Sequence, residues 1–276
     1  MRKKIYAEVG RDLTRWVSLS FSHDKLPKLS CPTCHKGELL FNKDRFHYSE
    51  TRDSEKSHSD KAFEINWVEY NFVALFQCSD NSCKEIVSVI GTGGINEYRY
   101  YDEQANVDVA GREDEFYPLY FNPPLNLFDI PSESPSEIKD EITKSFALFF
   151  ADKSASANRI RSTVELILND KKVKNVKVET GLGGKKTRRN LSLHKRILEF
   201  GKKESEIAEH LLAIKWIGNP ASHAEKINKM DLLDAFEILK YCLGKLYDDS
   251  EGRVRRITME INKRRKPRSA RSKPTF

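Results

Sequence analysis

The 276-residue chain is long enough for one large or two modest domains, and its 38% hydrophobic and 10% aromatic residues can supply buried cores. No apolar run approaches the roughly 20 residues of a transmembrane helix, and the charged first segment lacks the apolar stretch of a secretory signal. We therefore expect a cytoplasmic protein without a membrane partner. The net charge of +7 is uneven, because residues 251–276 carry +8 and the residues before them sum to -1.

Two cysteine pairs predict a metal site in the first third of the chain. Two residues separate Cys31 from Cys34, and four separate Cys78 from Cys83. Each short spacing lets two thiolates point at one ion, and two such turns complete the tetrahedral four-sulfur set of a structural zinc site. Without an export signal, paired cysteines indicate metal binding before disulfides. We predict one structural zinc; four thiolates leave no open position for a reacting water, so the metal is not expected to be catalytic.

Strand-forming sequence surrounds the cysteines. The stretches FEINWVEYNFVALFQC and EIVSVIGTGG are rich in aromatic and β-branched residues, with partial alternation. The charged, serine-rich segment 43–61 is predicted to be a mobile loop. We place a zinc-ribbon-like β module at residues 1–117.

The next segment predicts a change of structure. Five prolines fall between positions 118 and 135, so we predict an extended linker at residues 118–134. Ser134, Pro135 and Glu137 together are typical of a capped helix start.

The second half has helical patterning. Apolar residues recur at helical spacing through several segments, and Asn228 with Asp231 predicts a further capped helix start. The basic, glycine-bearing segment 171–190 is predicted to be a mobile connector. We predict a bundle of about five helices at residues 135–250, and for the whole chain an α+β fold with the β-rich module first.

One set of residues in the helical half resembles a known family. Arg161 and Glu165 on one helix face, the junction LLAIKWIGNPASH and the helix DLLDAFEILKYCLGKLY are similar to the bacterial domain of unknown function 4145. The resemblance covers roughly residues 125–248 and the cysteine framework, and Gly218, Asn219 and His223 are its most specific part. That family in turn resembles the HEPN superfamily of small helical bundles, which often dimerise and occur in prokaryotic defence and toxin–antitoxin systems. The resemblance implies a homodimer through the helical half and a partner protein of a defence system.

The same resemblance raises the question of catalysis. HEPN ribonucleases carry an arginine and a histidine separated by four to six residues, the histidine acting as general acid or base and the arginine holding the phosphate. Here His223 matches the histidine and Asn219 lies beside it. The basic residue nearest the arginine position is Lys215, with seven residues between it and His223, and lysine cannot make the bidentate contact of arginine. Arg161, on a neighbouring helix, is the alternative phosphate-binding residue.

The junction at residues 218–223 therefore has two interpretations. In the first, Gly218 ends a helix, a proline fixes the turn, and His223 caps or packs against the bundle. In the second, the turn presents Asn219 and His223 to RNA in a dimer cleft.

Residues 251–276 form a basic tail, which we predict to be disordered and to bind RNA or DNA without reading sequence. A solubilising terminus is the alternative. The predicted nucleic-acid-binding residues are all lysines and arginines: Arg253, Arg255, Arg256, Lys263, Arg264, Arg265, Lys266 and Arg268.

Two functions thus remain open. The chain is either a zinc-containing binding and recruitment protein that associates with nucleic acid, or a metal-independent HEPN-type endoribonuclease that uses His223.

Overall fold

The predicted α+β fold is confirmed. The computed structural model describes residues 13–22, 25–102, 106–180, 186–218, 227–248 and 250–265. A four-stranded antiparallel sheet comes first, and a helical region follows.

The sheet is a meander with strand order β1-β2-β3-β4. Its strands are β1 (Leu39–Glu50), β2 (Glu69–Cys78), β3 (Ile86–Asp102) and β4 (Val107–Asn122). Alternate residues of β2 are buried on one face, where Phe72 and Phe76 join Phe21, Phe46 and Phe116 in an aromatic core. The ring centroids of Phe46 and Phe116 are 4.7 Å apart.

Two predictions for the β-rich half are wrong. The segment 43–61, predicted to be a mobile loop, contains most of β1 and the short helix α1 (Arg52–Ser57). The side-chain oxygen of Thr51 accepts a hydrogen bond from the amide of Ser54 and caps this helix. The boundary predicted at residue 117 falls inside β4, which continues to Asn122.

The five helices predicted between residues 135 and 250 are present in the described part of the chain, and a sixth follows them. These are α2 (Ser136–Leu148), α3 (Lys153–Asp170), α4 (Leu193–Gly201), α5 (Ser205–Ile217), α6 (Lys229–Tyr247) and α7 (Ser250–Arg264). The capping box predicted at Asn228 and Asp231 is confirmed at the start of α6. Pro135 stands at the N-cap of α2, and the hydroxyl of Ser134 makes no hydrogen bond, so the cap predicted at Ser134 is wrong.

Two segments predicted to lack structure contain helix or strand in their described residues. The connector at 171–190 contains an antiparallel hairpin of β5 (Val176–Thr180) and β6 (Lys186–Asn190). The tail at 251–276 was predicted to be disordered, yet α7 extends through its whole first half.

The predicted linker at 118–134 is part of the core. Leu125, Leu127 and Phe128 are each at least 95% buried. The Phe128 ring centroid lies 5.1 Å from that of Phe146 on α2 and 6.0 Å from that of Phe236 on α6. Burying such a side chain stabilises the fold by about 1.5–3 kcal/mol. This segment directly follows β4 and packs against α2 and α6, so it connects the sheet to the helices.

Candidate metal centre

The fold brings the four predicted metal ligands together. The ligand atoms of Cys31, Cys34, Cys78 and Cys83 all lie within 4.8 Å of one another. The Sγ–Sγ distance is 3.9 Å between Cys31 and Cys83, and 3.6 Å between Cys34 and Cys78. Tetrahedral zinc with bonds of about 2.3 Å requires sulfur atoms about 3.8 Å apart. The donor set and its spacing therefore fit a metal ion such as zinc.

Strand pairing closes the long gap between the two cysteine pairs. β1 starts just after the first pair, β2 ends at Cys78, and their antiparallel register sets Leu39 opposite Cys78. The amide of Ser79 donates to the carbonyl of Glu38 at 2.9 Å. The chain between the two cysteine pairs runs out along β1 and returns along β2. The number of residues between the pairs therefore does not set the distance between the two cysteine turns.

Each cysteine pair lies in a tight turn, and the two turns have similar backbone geometry. The residue after each second cysteine has a positive φ, 58° at His35 and 51° at Lys84. The amide of His35 donates to the carbonyl of Cys31 at 3.0 Å, and that of Lys84 donates to the carbonyl of Asp80 at 2.9 Å. His35 itself is a surface residue beside the site, with its Nδ1 3.9 Å from a carboxylate oxygen of Asp129.

Backbone amides also point at the sulfur atoms. The amide of Gly37 donates to Cys34 Sγ and that of Asp80 to Cys78 Sγ, each at 3.4 Å. Hydrogen bonds from Gly37 and Lys36 lower the pKa of Cys34 to about 6, and burial raises that of Cys78 to about 12. A divalent cation is the group that offsets the burial of several thiolates at one point.

Gly37 is required by the close approach of the two turns. A Cβ at this position would overlap Cys78 Sγ and would lie 2.9 Å from the amide nitrogen of Asp80. The structure shows that the constraint comes from the other cysteine pair, which only the folded chain brings near.

The centre is also tied to the helical half. The side-chain amide of Asn126 donates to the carbonyl of Pro32, inside the first turn, at 2.9 Å. Two residues further on, Phe128 packs between α2 and α6. The first cysteine turn is thus fixed to the segment that joins the two halves.

The predicted catalytic residues are only partly described. Asn219 and His223 lie outside the described residues. Arg161 on α3 lies beside the end of α5, because a Cβ at Gly218 would be 3.0 Å from Arg161 Cβ. Its guanidinium is 3.7 Å from a carboxylate oxygen of Glu165. Lys215 places its ammonium 3.4 Å from the centroid of the Trp216 ring.

The predicted nucleic-acid-binding residues fall mainly on α7. Arg255, Arg256, Lys263 and Arg265 are exposed, and Arg264 is partly buried. Arg253 belongs to α7, but its side chain lies outside the described residues, as do Lys266 and Arg268 entirely.

Comparison with known proteins identifies two regions of the chain. Residues 19–121 match the family model described as Domain of unknown function (DUF8608), and residues 143–266 match Domain of unknown function (DUF4145), the family that the sequence resembles. No curated protein and no solved structure matches the chain. Among the described helices, none combines the length and apolar character needed to cross a bilayer.

Proposed function

We propose that this is a zinc-containing, cytoplasmic nucleic-acid-binding protein that acts as a recruitment component of a bacterial defence or regulatory system. Helix α7 carries the proposal. Residues 253–265 hold six lysines and arginines against the single acid Glu260, and the side chains from 254 to 263 are all exposed. A cationic helix that the described part of the chain leaves exposed can lie along a phosphate backbone.

The zinc in this proposal is structural, in a zinc-ribbon-like module. Four thiolates fill its coordination shell, so its contribution is to hold the two cysteine turns together and against Asn126. This gives the nucleic-acid-binding helical half a rigid support and requires no metal chemistry.

The test is the salt dependence of binding to a labelled RNA or DNA strand of about 20 nucleotides. The variant Arg255→Gln/Lys263→Gln/Arg265→Gln, called the α7 variant, removes three exposed charges, two on α7 and one directly after its end. Its control, Lys28→Gln/Arg45→Gln/Lys61→Gln, removes three exposed charges from the β-rich half. Each lost phosphate contact flattens the log K against log salt slope by about 0.7 for single strands, so we expect a change of about 2 for the α7 variant alone. Equal binding by the two variants would contradict the role of α7.

Homodimerisation through the helical half is part of the proposal. Val254, Ile257 and Ile261 form an apolar stripe along α7, exposed to 59%, 46% and 49%. Exposed apolar stripes of this kind favour association. Light scattering at micromolar concentration should give twice the chain mass, and a monomer would contradict this part.

One observation supports an endoribonuclease as a second candidate function. Arg161 lies against Gly218, the residue from which the chain enters the segment that contains Asn219 and His223. In that mechanism His223 acts as general acid or base at a 2′-hydroxyl, and Arg161, in place of Lys215, holds the phosphate. Cleavage of single-stranded RNA in magnesium-free buffer that His223→Ala abolishes would establish this activity. Failure of the wild type to cleave would exclude it under these conditions.

A further inference from the structure

A cavity of about 920 Å³ lies in the helical half, between the loop after α3, the β5–β6 hairpin and α4. The segment 171–190, predicted from the sequence to be a mobile connector, forms much of its lining. Among the residues that the structure describes, seven lysine or arginine side chains line the cavity against two glutamates, a formal charge of +5. Its volume is in the upper part of the range of about 300–1,000 Å³ typical of ligand sites.

The first wall is the loop after α3, which contributes Lys171, Lys172 and Lys174. The negative end of the α3 dipole favours one or two cations here. Lys172 has a φ of 58°, a left-handed conformation that glycine adopts without strain at such helix ends. A lysine at this position keeps a cation on the cavity rim despite the local strain.

A buried arginine holds this wall in place. Arg196 on α4 is 6% exposed, and its guanidinium donates to Asn169 Oδ1 at 2.7 Å and to the carbonyl of Val173 at 3.2 Å. The loop is therefore fixed to α4, and these two walls of the cavity are held together.

The hairpin wall carries like charges in direct opposition. Lys177 of β5 pairs with Arg189 of β6 in the strand register, and both line the cavity. Like charges directly opposite each other destabilise an antiparallel pair. An anion bound in the cavity would reduce the repulsion between these two side chains.

The α4 side adds two cations, Lys195 and Lys203, and both of the glutamates, Glu199 and Glu204. The carboxylate of Glu199 is 2.6 Å from the ammonium of Lys202. In the part of the chain that the structure describes, no ion pair within 4 Å involves Lys174, Lys195 or Lys203. These three ammonium groups are the ones best placed to take an anionic ligand.

The cavity also exposes apolar side chains among the cations. Val178 is 53% exposed and Leu198 is 51% exposed. A ligand that matches both features needs phosphates for the lysines and uncovered bases for the apolar side chains. Double-stranded nucleic acid hides its bases, whereas a single strand presents both.

We propose that this cavity binds single-stranded nucleic acid, with phosphates at Lys174, Lys195 and Lys203 and a base against Val178 and Leu198. This inference rests on the nucleic-acid binding proposed above and adds a second site to it.

The cavity lies next to the start of α7. The ammonium of Lys171 is 4.1 Å from the centroid of the Tyr247 ring, and the Tyr247 hydroxyl donates to Asp170 at 2.8 Å. Tyr247 is the last residue of α6, and α7 begins at Ser250. One strand can therefore contact the cavity and α7 together.

The experiment compares three variants of the full chain that each lose three positive charges. The cavity variant is Lys174→Gln/Lys195→Gln/Lys203→Gln, whose three side chains are exposed and outside the core. The others are the α7 variant and the β-half control defined above. The probe is a labelled uridine oligonucleotide of about 20 residues, and a duplex of the same length is the second probe. Fluorescence anisotropy at about 50 mM salt gives Kd, and a salt series gives the slope.

We expect the cavity variant to bind the single strand at least about tenfold more weakly and with a slope flatter by about 2, while the control changes by less than about twofold. The duplex should bind more weakly to the wild type and lose less in the cavity variant. If only the α7 variant loses affinity for the single strand, the cavity is not a binding site, but the proposed function is retained. If neither variant loses affinity, both the cavity site and the proposed nucleic-acid binding are contradicted. Equal losses for duplex and single strand in the cavity variant would overturn the assignment of the ligand as single-stranded.

Discussion

Replacing Gly37 with alanine should weaken metal binding without removing a ligand. The new methyl group would overlap Cys78 Sγ and lie 2.9 Å from the amide nitrogen of Asp80, whereas ordinary contacts begin at 3.4 Å. The second cysteine turn must therefore retreat by at least about 0.5 Å, which exceeds the tolerance of about 0.2 Å in metal–ligand distances. Disturbing groups around a metal site typically lowers affinity about 10- to 100-fold, and we expect a loss in this range.

Competition with a chromophoric zinc chelator measures this affinity. Gly244→Ala is the matched control, because a Cβ at Gly244 meets no atom within 4 Å. It lies inside α6, so alanine there should stabilise the fold by about 0.5–1 kcal/mol and leave zinc affinity unchanged. Wild-type zinc affinity in Gly37→Ala would refute the argument that the two turns are packed against each other through this position.

Four further outcomes are expected. Chelation should lower Tm by roughly 10–20 °C in a thermal scan if the metal contributes about 5 kcal/mol, and an unchanged Tm would argue against a stabilising ion. Arg196→Met should cost about 1–3 kcal/mol in urea unfolding, because Asn169 and a backbone carbonyl lose their buried donor; a neutral result would contradict the bracing role. Tyr247→Phe removes the hydrogen bond to Asp170 and should cost about 0.5–1.5 kcal/mol by the same method, a smaller loss than for Arg196. Asn228→Ala removes the capping box of α6 and should cost about 1 kcal/mol, whereas Asn228→Asp should retain most of the stability.

Features fixed by short sequence spacing were predictable. The cysteine pairs and the Asn228–Asp231 capping box depend on residues three to five positions apart, and both occur as predicted. The long sequence separation between the two cysteine pairs does not prevent the site from forming, because the pairing of β1 with β2 brings them together.

Segments whose order depends on distant contacts were not predicted. Prolines in 118–134 indicated an extended linker, but Leu125, Leu127 and Phe128 between them are apolar and buried against the helices. The hairpin in 171–190 lies at the surface, so it lacks the alternating apolar pattern by which buried strands are recognised.

The high charge of the C-terminal region led to a prediction of disorder where the structure has helix α7. Val254, Ile257 and Ile261 stand at helical spacing, and this signal was present in the sequence. Composition alone favoured disorder, because ten of the last 26 residues are lysine or arginine.

The central structural claim is that four cysteines form one zinc site, and X-ray absorption at the zinc edge tests it most directly. Together with elemental analysis of the purified chain, it should give about one zinc per chain with four sulfur neighbours at about 2.3 Å. Replacing Cys31 and Cys83 with serine should abolish that signal. Zinc-free protein, or a first shell dominated by nitrogen and oxygen, would contradict the assignment.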